Sequence, residues 1–378
     1  MSMAIATPLS TSGRFIVDAN GKRIRLAGVN WYGASEDMGV PAGLDRTERG
    51  TLAGLIAAQG FNSVRLPFSV WMTEQTAPVP QQVLAANPDL FGKTPLEVYD
   101  ACVKALTDKG LIVIPNCHLL DFGWCCKNTD SNGLWFNDRF PAQKFTAAWQ
   151  NIAKRYASNP LVAAMDIKNE PRPATVGGRE LKPTWGTGGE TDFAAMYTSV
   201  GNLIHQINPR PLIICEGLNY ACDLTGVASH PVRLTEPNKV VYSMHDYSWS
   251  GHGPGQTRAA YIAQMTTNGG YLLTEGKAPV WVGEFGDTAS ALSAPGGGGI
   301  WWANVQAWLA EADVDWCWWA INPTHGQSST PGTNQIQNRW GAPEPYGLLA
   351  PDWSGVGFPA VMTMLKAIME PRSGPHVS

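Results

Sequence analysis

Long apolar runs are missing from this 378-residue chain. None approaches the roughly 20 residues that a bilayer demands of a helix, so the sequence predicts no membrane span. Runs of like charge are missing too. Only 15% of residues are charged, no five of one sign stand together, and the formal net charge is −4. Such a chain has no electrostatic footprint for nucleic acid or an anionic membrane, and a neutral partner fits better. No C-x-x-C pair occurs, which removes the usual spacing of a structural zinc site. The opening MSMAIATPLSTSG has neither the charged n-region nor the apolar h-region of a secretion signal, so the chain as it stands reads as soluble. Its seven cysteines are an odd number, so at least one stays free or pairs between chains. Adjacent Cys125 and Cys126 are poorly placed to bridge each other, and Cys215 and Cys222 are a candidate pair. Cys117, Cys215 and Cys317 read equally well as small buried hydrophobes on strands.

What is present is core. With 44% hydrophobic residues the chain can bury a large interior. Strand-like runs fall at Ile24 to Trp31, Ser63 to Phe68, Leu111 to His118, Val162 to Glu170, Leu212 to Glu216, Val240 to Tyr247, Pro279 to Phe285 and Val314 to Asn322. Helical patterns separate them, at Arg49 to Gln59, Pro95 to Lys109, Pro141 to Ala157, Asp192 to Ile207, Arg258 to Thr267 and Trp301 to Glu311, with a last one from Phe358 to Met369. Only the connection after Glu216 lacks a long helix. Eight near-continuous apolar strands alternating with helices predict an α/β chain, a single (β/α)8 TIM barrel spanning residues 1–378. Within residues 1–23 an N-terminal β-hairpin is expected, because Asn20-Gly21 sits between the apolar Phe15-Ile16-Val17 and Ile24. Its natural role is to plug the barrel's lower end.

Two of these strand-like runs end in a glutamate, AAMDIKNEP at Glu170 and VWVGEFG at Glu284. A carboxylate is too costly to bury unpaired in a core, but on the rim of a rigid sheet it can meet substrate in a shielded pocket. Two carboxyls across one gap supply an acid with a nucleophile, or an acid with a base, which is what glycosidic bond cleavage needs. In an eight-stranded α/β barrel the site lies at the carboxyl ends of the strands. Those ends carry Arg65, His118, Asn169 and Glu170, His245 and Tyr247, Glu284, and Trp319 with Asn322. An arginine beside one carboxylate should lower its pKa and keep it ionised, while a more enclosed partner keeps its proton.

This ordered set resembles glycoside hydrolase family 5, the cellulase family of retaining barrels. The resemblance rests on Asn169-Glu170-Pro171, His245-x-Tyr247, Glu284 in WVGEFG, Arg65 in SVRLPFS and Trp319 in WWAINP. It implies Glu170 as acid/base and Glu284 as nucleophile, Asn169 on the sugar 2-hydroxyl, Tyr247 and Arg65 holding the nucleophile, His118 and His245 lining the cleaving subsite, and Trp319 carrying its ring. PEPYGLLAPDWS, around Tyr346 to Trp353, looks like the family's closing loop. Ala320 stands where a serine is common, and GWCCKNTDSNGLW matches only some subgroups.

The sixteen tryptophans outnumber both phenylalanine and tyrosine. Trp149, Trp302, Trp308 and Trp316 fit core stripes, whereas Trp124, Trp135, Trp185, Trp249 and Trp340 fall in long loops above the strand ends. An indole face stacks on the C–H surface of a pyranose, so several of these are expected to form platforms along an elongated cleft. Asn128-x-Asp130-x-Asn132-Gly133 resembles the start of a calcium loop, but Arg139 stands where the closing Glu should be, so a polar turn is expected. Lys168 invites comparison with two-metal barrels, yet the His-x-His these need on the first strand reads Val29-Asn30-Trp31. No metal or cofactor is expected. The resemblance implies a monomeric, retaining endo-β-1,4-glucanase acting on a β-linked polysaccharide or oligosaccharide, secreted because its substrate is a polymer. Mannan, xylan, mixed-linkage glucan or a small β-glucoside is the alternative substrate, and a non-catalytic carbohydrate-binding barrel is the alternative class.

Overall fold

The computed structural model describes residues 5–126, 130–250, 256–326 and 341–370. An antiparallel hairpin, β1 (Ser10–Ser12) and β2 (Phe15–Val17), precedes the barrel strands β3 (Ala27–Asn30), β4 (Ser63–Ser69), β5 (Ile112–Leu119) and β6 (Ala164–Asp166). A small antiparallel pair, β7 (Ala174–Val176) and β8 (Arg179–Leu181), is an excursion beyond β6. The barrel then continues through β9 (Leu212–Glu216), β10 (Val240–Tyr247), β11 (Val280–Gly286) and β12 (Asp315–Trp318), and β12 pairs with β3 to close it. All eight barrel strands are parallel. Their residues are almost all buried, since one face looks into the barrel and the other meets helices, which is why the sequence shows continuous apolar runs rather than alternation.

The covering helices include Arg49–Ala58, Pro95–Asp108, Ala142–Arg155, Phe193–Ile207 and Gly298–Glu311. Their starts are set by side chains that satisfy otherwise unpaired backbone N–H groups. Thr94 and Glu97 form a capping box, and Asp192 accepts from the Ala195 N–H. After β9 only the short turns Leu218–Ala221 and Thr225–Ala228 occur, as the sequence pattern predicts.

Along the inward rows the chemistry changes with height. At the closed end Leu26, Ile112, Ile114, Leu212, Ile214, Val241 and Trp281 form an apolar layer, and Leu9 and Ile16 from the hairpin region pack into it. The hairpin therefore plugs the barrel. It lies earlier than the Asn-Gly signal suggests: β1 and β2 turn at Gly13, and Asn20-Gly21 makes a second turn that brings Arg23 to bridge Val17. Both glycines hold positive φ, 55° and 78°. Residues 10–12 are Ser-Thr-Ser, which carries no apolar signal for a strand. Below this layer Arg23 pairs with Asp313 and Asp315, and Arg25 pairs with Asp313, stitching the start of the barrel to its last strand. Further up β3, β4, β5, β6, β9 and β10 the interior turns polar: Asn30, Arg65, Asn116, Asp166, Glu216 and Ser243 are all buried.

Cysteine pairing departs from the expectation. Cys215 is buried in the outer core and Cys222 lies at the barrel mouth, each free. Cys125 and Cys126 are instead joined to each other across a cis peptide bond, with their Cα atoms 3.0 Å apart. Adjacent residues read as poorly placed to bridge because neighbouring Cα atoms lie closer than the roughly 4.4–6.8 Å usual across a disulfide.

Candidate active site

A cavity of about 1030 Å³ opens at the carboxyl ends of the strands. Glu284, on β11, and Glu170, in the loop after β6, face each other across it, with carboxylate oxygens and a nitrogen of the intervening His245 all within 4.8 Å of one another. Strand β6 is shorter than its apolar run, so Asn169 and Glu170 lie just past it. Glu170 adopts φ 44°, a left-handed conformation that a non-glycine residue holds at a cost of about 1–3 kcal/mol. Two neighbours hold it there: the Glu216 Oε2 accepts the Glu170 N–H at 2.7 Å, and the Arg172 Nη1 donates to the Glu170 carbonyl at 3.0 Å.

Arg65, fully buried on β4, forms the floor. Its guanidinium donates to Asp166 (2.7 Å), Asn30 (3.0 Å), Asn169 (2.6 Å), Glu216 (3.0 Å) and Glu284 (2.5 Å). The planar fork thus fixes the nucleophile candidate and the asparagine beside the acid candidate in one piece. The Tyr247 hydroxyl donates to the other Glu284 oxygen at 2.8 Å. Gly283, next to Glu284, leaves room that a Cβ would fill, since that atom would come within 2.8 Å of Ser243 and 3.1 Å of His245.

Environment separates the two carboxyls. Burial is the largest influence on Glu170, and although Arg172, Arg65 and Lys168 oppose it, the group is pushed up to about 7. Burial also raises Glu284 above the ordinary carboxylate range, against the pull of His245 and Arg65 and the Tyr247 hydrogen bond. The net depression expected from the arginine is therefore overturned: desolvation exceeds it. The donor count still distinguishes the groups. Glu284 receives Arg65 and Tyr247, which favour its ionised form, whereas Glu170 meets the His245 Nδ1 at 2.9 Å. Burial lowers His245 to about 4, so this imidazole is neutral at neutral pH.

One wall is aromatic. Trp319 stacks on Tyr32 (5.1 Å, 4°) and on His118 (5.7 Å, 15°), and Trp124 meets Trp319 edge-on. Further along, Trp249 is 66% exposed, stacks on Tyr247 and donates from Nε1 to the Tyr346 hydroxyl at 3.1 Å. His118, Trp124, His245, Tyr247, Trp249 and Trp319 all line the cleft. Arg65 and Asn169 lie beneath it. Trp135 does not line it: the ring packs edge-on against Phe193, 5.0 Å away, because its loop folds down onto the helix Phe193–Ile207. Trp185 is likewise core, against Tyr197 and Tyr242. Trp340 lies outside the described residues.

Four further residues belong to the site that the strand-end reading did not nominate: Glu216, Tyr32, His325 and Glu344. Glu216 ends β9 as Glu284 nearly ends β11, so its position alone could have nominated it. Tyr32, His325 and Glu344 form a hydrogen-bonded cluster beside Trp124, with the Tyr32 hydroxyl donating to Glu344 at 2.9 Å. They come from segments whose meeting only the fold reveals. Burial pushes Glu344 up to about 7. Of the calcium-like turn, Asn128 lies outside the described residues. Asp130 pairs with Arg172, and the Asn132 side chain caps the Leu120 and Asp121 N–H groups, which leaves these oxygens committed to protein donors. Lys168 is buried and donates to the Asn169 carbonyl.

An acid and a nucleophile candidate facing each other over the mouth of a (β/α)8 barrel, in a cleft lined with indole rings, define a glycoside hydrolase. Residues 17–325 match the family model described as Cellulase (glycosyl hydrolase family 5). The chain belongs to that family. An endoglucanase of Paenibacillus polymyxa is 29% identical, over 96% of this chain and 87% of that protein. A glycosyl hydrolase 5 family protein of Chamaecyparis obtusa is 30% identical, over 98% and 67%. The solved structure of a hyperthermophilic endocellulase from Pyrococcus horikoshii superposes with a TM-score of 0.79 at 25% identity, covering 97% of this chain and 99% of that one. Among the described residues no helix is long and apolar enough to cross a membrane.

Proposed function

We propose that this glycoside hydrolase is a retaining endo-β-1,4-glucanase, with residues 1–378 acting as one catalytic domain. The observation that carries the reading is the spacing of the carboxyl pair. Oxygens of Glu170 and Glu284 within 4.8 Å of one another leave no room for a water between nucleophile and sugar. Retaining enzymes hold their carboxyls about 5–5.5 Å apart and inverting ones about 6.5–9.5 Å. In this mechanism Glu284, held by Arg65 and Tyr247, attacks the anomeric carbon while protonated Glu170 gives its proton to the leaving glycosidic oxygen. The glycosyl–enzyme ester is then cleaved by a water that Glu170, now a carboxylate, deprotonates. Asn169 holds the 2-hydroxyl and Trp319 carries the ring of the sugar being cleaved, with His118 and His245 beside it. Trp124 and Trp249 extend the platform along the chain. The endoglucanase and endocellulase relatives support β-1,4-glucan as the substrate, and a polymer of that size is met outside the cell, so the enzyme is read as secreted. It works as a monomer without a cofactor.

The test is a product assay on carboxymethylcellulose, β-mannan, xylan and mixed-linkage glucan, with Glu170→Ala as blank. A sharp viscosity fall with short oligomers from the β-glucans, and the β-anomer appearing first by proton NMR, is the expected result. First release of the α-anomer would overturn retention. Preference for mannan or xylan would replace the substrate, and binding of cellohexaose without cleavage would point to a carbohydrate-binding barrel.

A further inference from the structure

The acid candidate has a neighbour that the mechanism above does not use. Glu170 Oε1 faces the His245 Nδ1 at 2.9 Å, and His245 Nε2 is buried with no hydrogen-bond partner. A neutral imidazole carries one ring proton, so that proton sits on Nδ1 and is given to Oε1. Oε2 is then the oxygen on which the acid's own proton must sit. Oε2 faces sulfur: Cys126 Sγ lies 2.9 Å away and Cys125 Sγ 3.5 Å away, and both cysteines line the cleft. Disulfide sulfurs have no proton to donate and accept only weakly. A carboxylate oxygen beside them lacks a donor, while a protonated one does not need it. The Asn169 Nδ2, 3.4 Å from Cys125 Sγ, ties the same sulfur to the group placed on the 2-hydroxyl.

We propose that the Cys125–Cys126 disulfide is a positioning element of this glycosidase, keeping the acid's proton on Glu170 Oε2, and that opening it to a dithiol weakens the enzyme. The proposal rests on the reading of Glu170 as the acid. A thiol such as dithiothreitol supplies two electrons and two protons: the S–S bond breaks, two S–H bonds form, and dithiothreitol closes to its cyclic disulfide. Each new S–H then aims a donor at Oε2 and favours the carboxylate. The remaining groups around Glu170 do not change in this step. Across the cleft these are His245 and, behind it, Glu284 and Glu216. Arg172 and Lys168 flank it on its own loop, with Asp130, Arg65, Tyr220 and Cys222 around them. The other five cysteines are free, so the pair is the one disulfide a reductant can open.

The experiment is the pH profile of kcat/KM on an unactivated cellooligosaccharide before reduction, after dithiothreitol, and after reoxidation. The state of the pair is read by alkylation and peptide mass. The expected result is an unalkylated pair in the untreated enzyme and an alkaline limb that moves down by about half a unit on reduction, with a roughly twofold loss at pH 7 that approaches threefold above about pH 8. Reoxidation should reverse it, and Cys125→Ala/Cys126→Ala should not respond to reductant. An unmoved limb with the pair shown to be open, a pair already alkylated before reduction, or a double variant that still responds would each overturn the proposal. Glu170→Gln separates the two readings. On a dinitrophenyl cellobioside, whose leaving group needs no acid, the variant should be active and lack the alkaline limb. If it keeps that limb, the assignment of Glu170 itself fails; if it loses the limb while reduction leaves the wild-type profile unmoved, only the role of the sulfurs fails.

Discussion

Two arginine-centred networks are buried in the barrel, one at each end, and their charges are counted differently. At the closed end Arg23 and Arg25 pair with Asp313 and Asp315, two cations against two anions. At the open end Arg65 alone pairs with Asp166, Glu216 and Glu284, one against three. Buried ions persist only when neutralised and fully hydrogen-bonded. The balanced set serves as a stitch, although burial raises Asp315 above the ordinary carboxylate range there too. The unbalanced set cannot shed its excess charge to solvent, so it holds protons: burial and Asp166 push Glu216 well above the ordinary carboxylate range, and Glu170 beyond it rises to about 7. The same residue types stitch the fold together at one end and surround the proposed acid at the other.

Substitutions can break this contrast in graded steps. Glu284→Gln should abolish turnover by roughly 10⁴-fold or more while leaving the melting temperature near that of the wild type, because the amide keeps the shape but cannot attack. Steady-state kinetics with a thermal melt reads both. Arg65→Met should hit both quantities, lowering kcat about 10³-fold and stability by about 3–5 kcal/mol, since it leaves three carboxyls without their cation; urea unfolding alongside the assay would show it. Asp313→Asn should cost about 3 kcal/mol in the same unfolding experiment yet leave kcat and the pH profile where they were, as it removes an anion shared by Arg23 and Arg25 far from the cleft. A changed pH profile there would mean the two networks are coupled. The gentlest probe is pH itself. Glu170 must be protonated to act as acid, so kcat/KM should fall about tenfold per unit above a limb near pH 7. Glu284 must be ionised, so the acid limb should lie above the ordinary carboxylate value of about 4.3.

The barrel was legible because parallel strands buried on both faces leave long apolar runs, and eight such runs alternating with capped helices admit few other architectures. Polar residues in or just past those runs were legible as well: Arg65 stands inside β4 rather than at its end, Tyr247 ends β10, Glu284 lies near the end of β11 and Glu170 just past β6. What the pattern hid was contact between distant segments. Trp135 looked like a platform because it sits in a loop above the strands, but a loop's direction depends on what it packs against, here Phe193. Glu216 was read as the end of a strand and not as a partner of Arg65 and the Glu170 backbone, since its role depends on 151 and 46 residues of separation being closed by the fold. The balance of charge in Arg65's surroundings was hidden for the same reason. Counting one neighbour, the sequence suggests a depressed Glu284; counting burial reverses the sign.

The plug of Leu9 and Ile16 also dictates where a tether can leave the molecule. Because the chain ahead of β3 is anchored against Trp281 at the closed end, anything fused before Leu9 emerges on the face opposite the cleft. An appended binding module or surface linker at that position would hold the enzyme with its mouth pointing away from the anchor, which suits an immobilised catalyst meeting dissolved chains. To press the mouth onto a solid fibre, the same linker would have to travel the full height of the barrel.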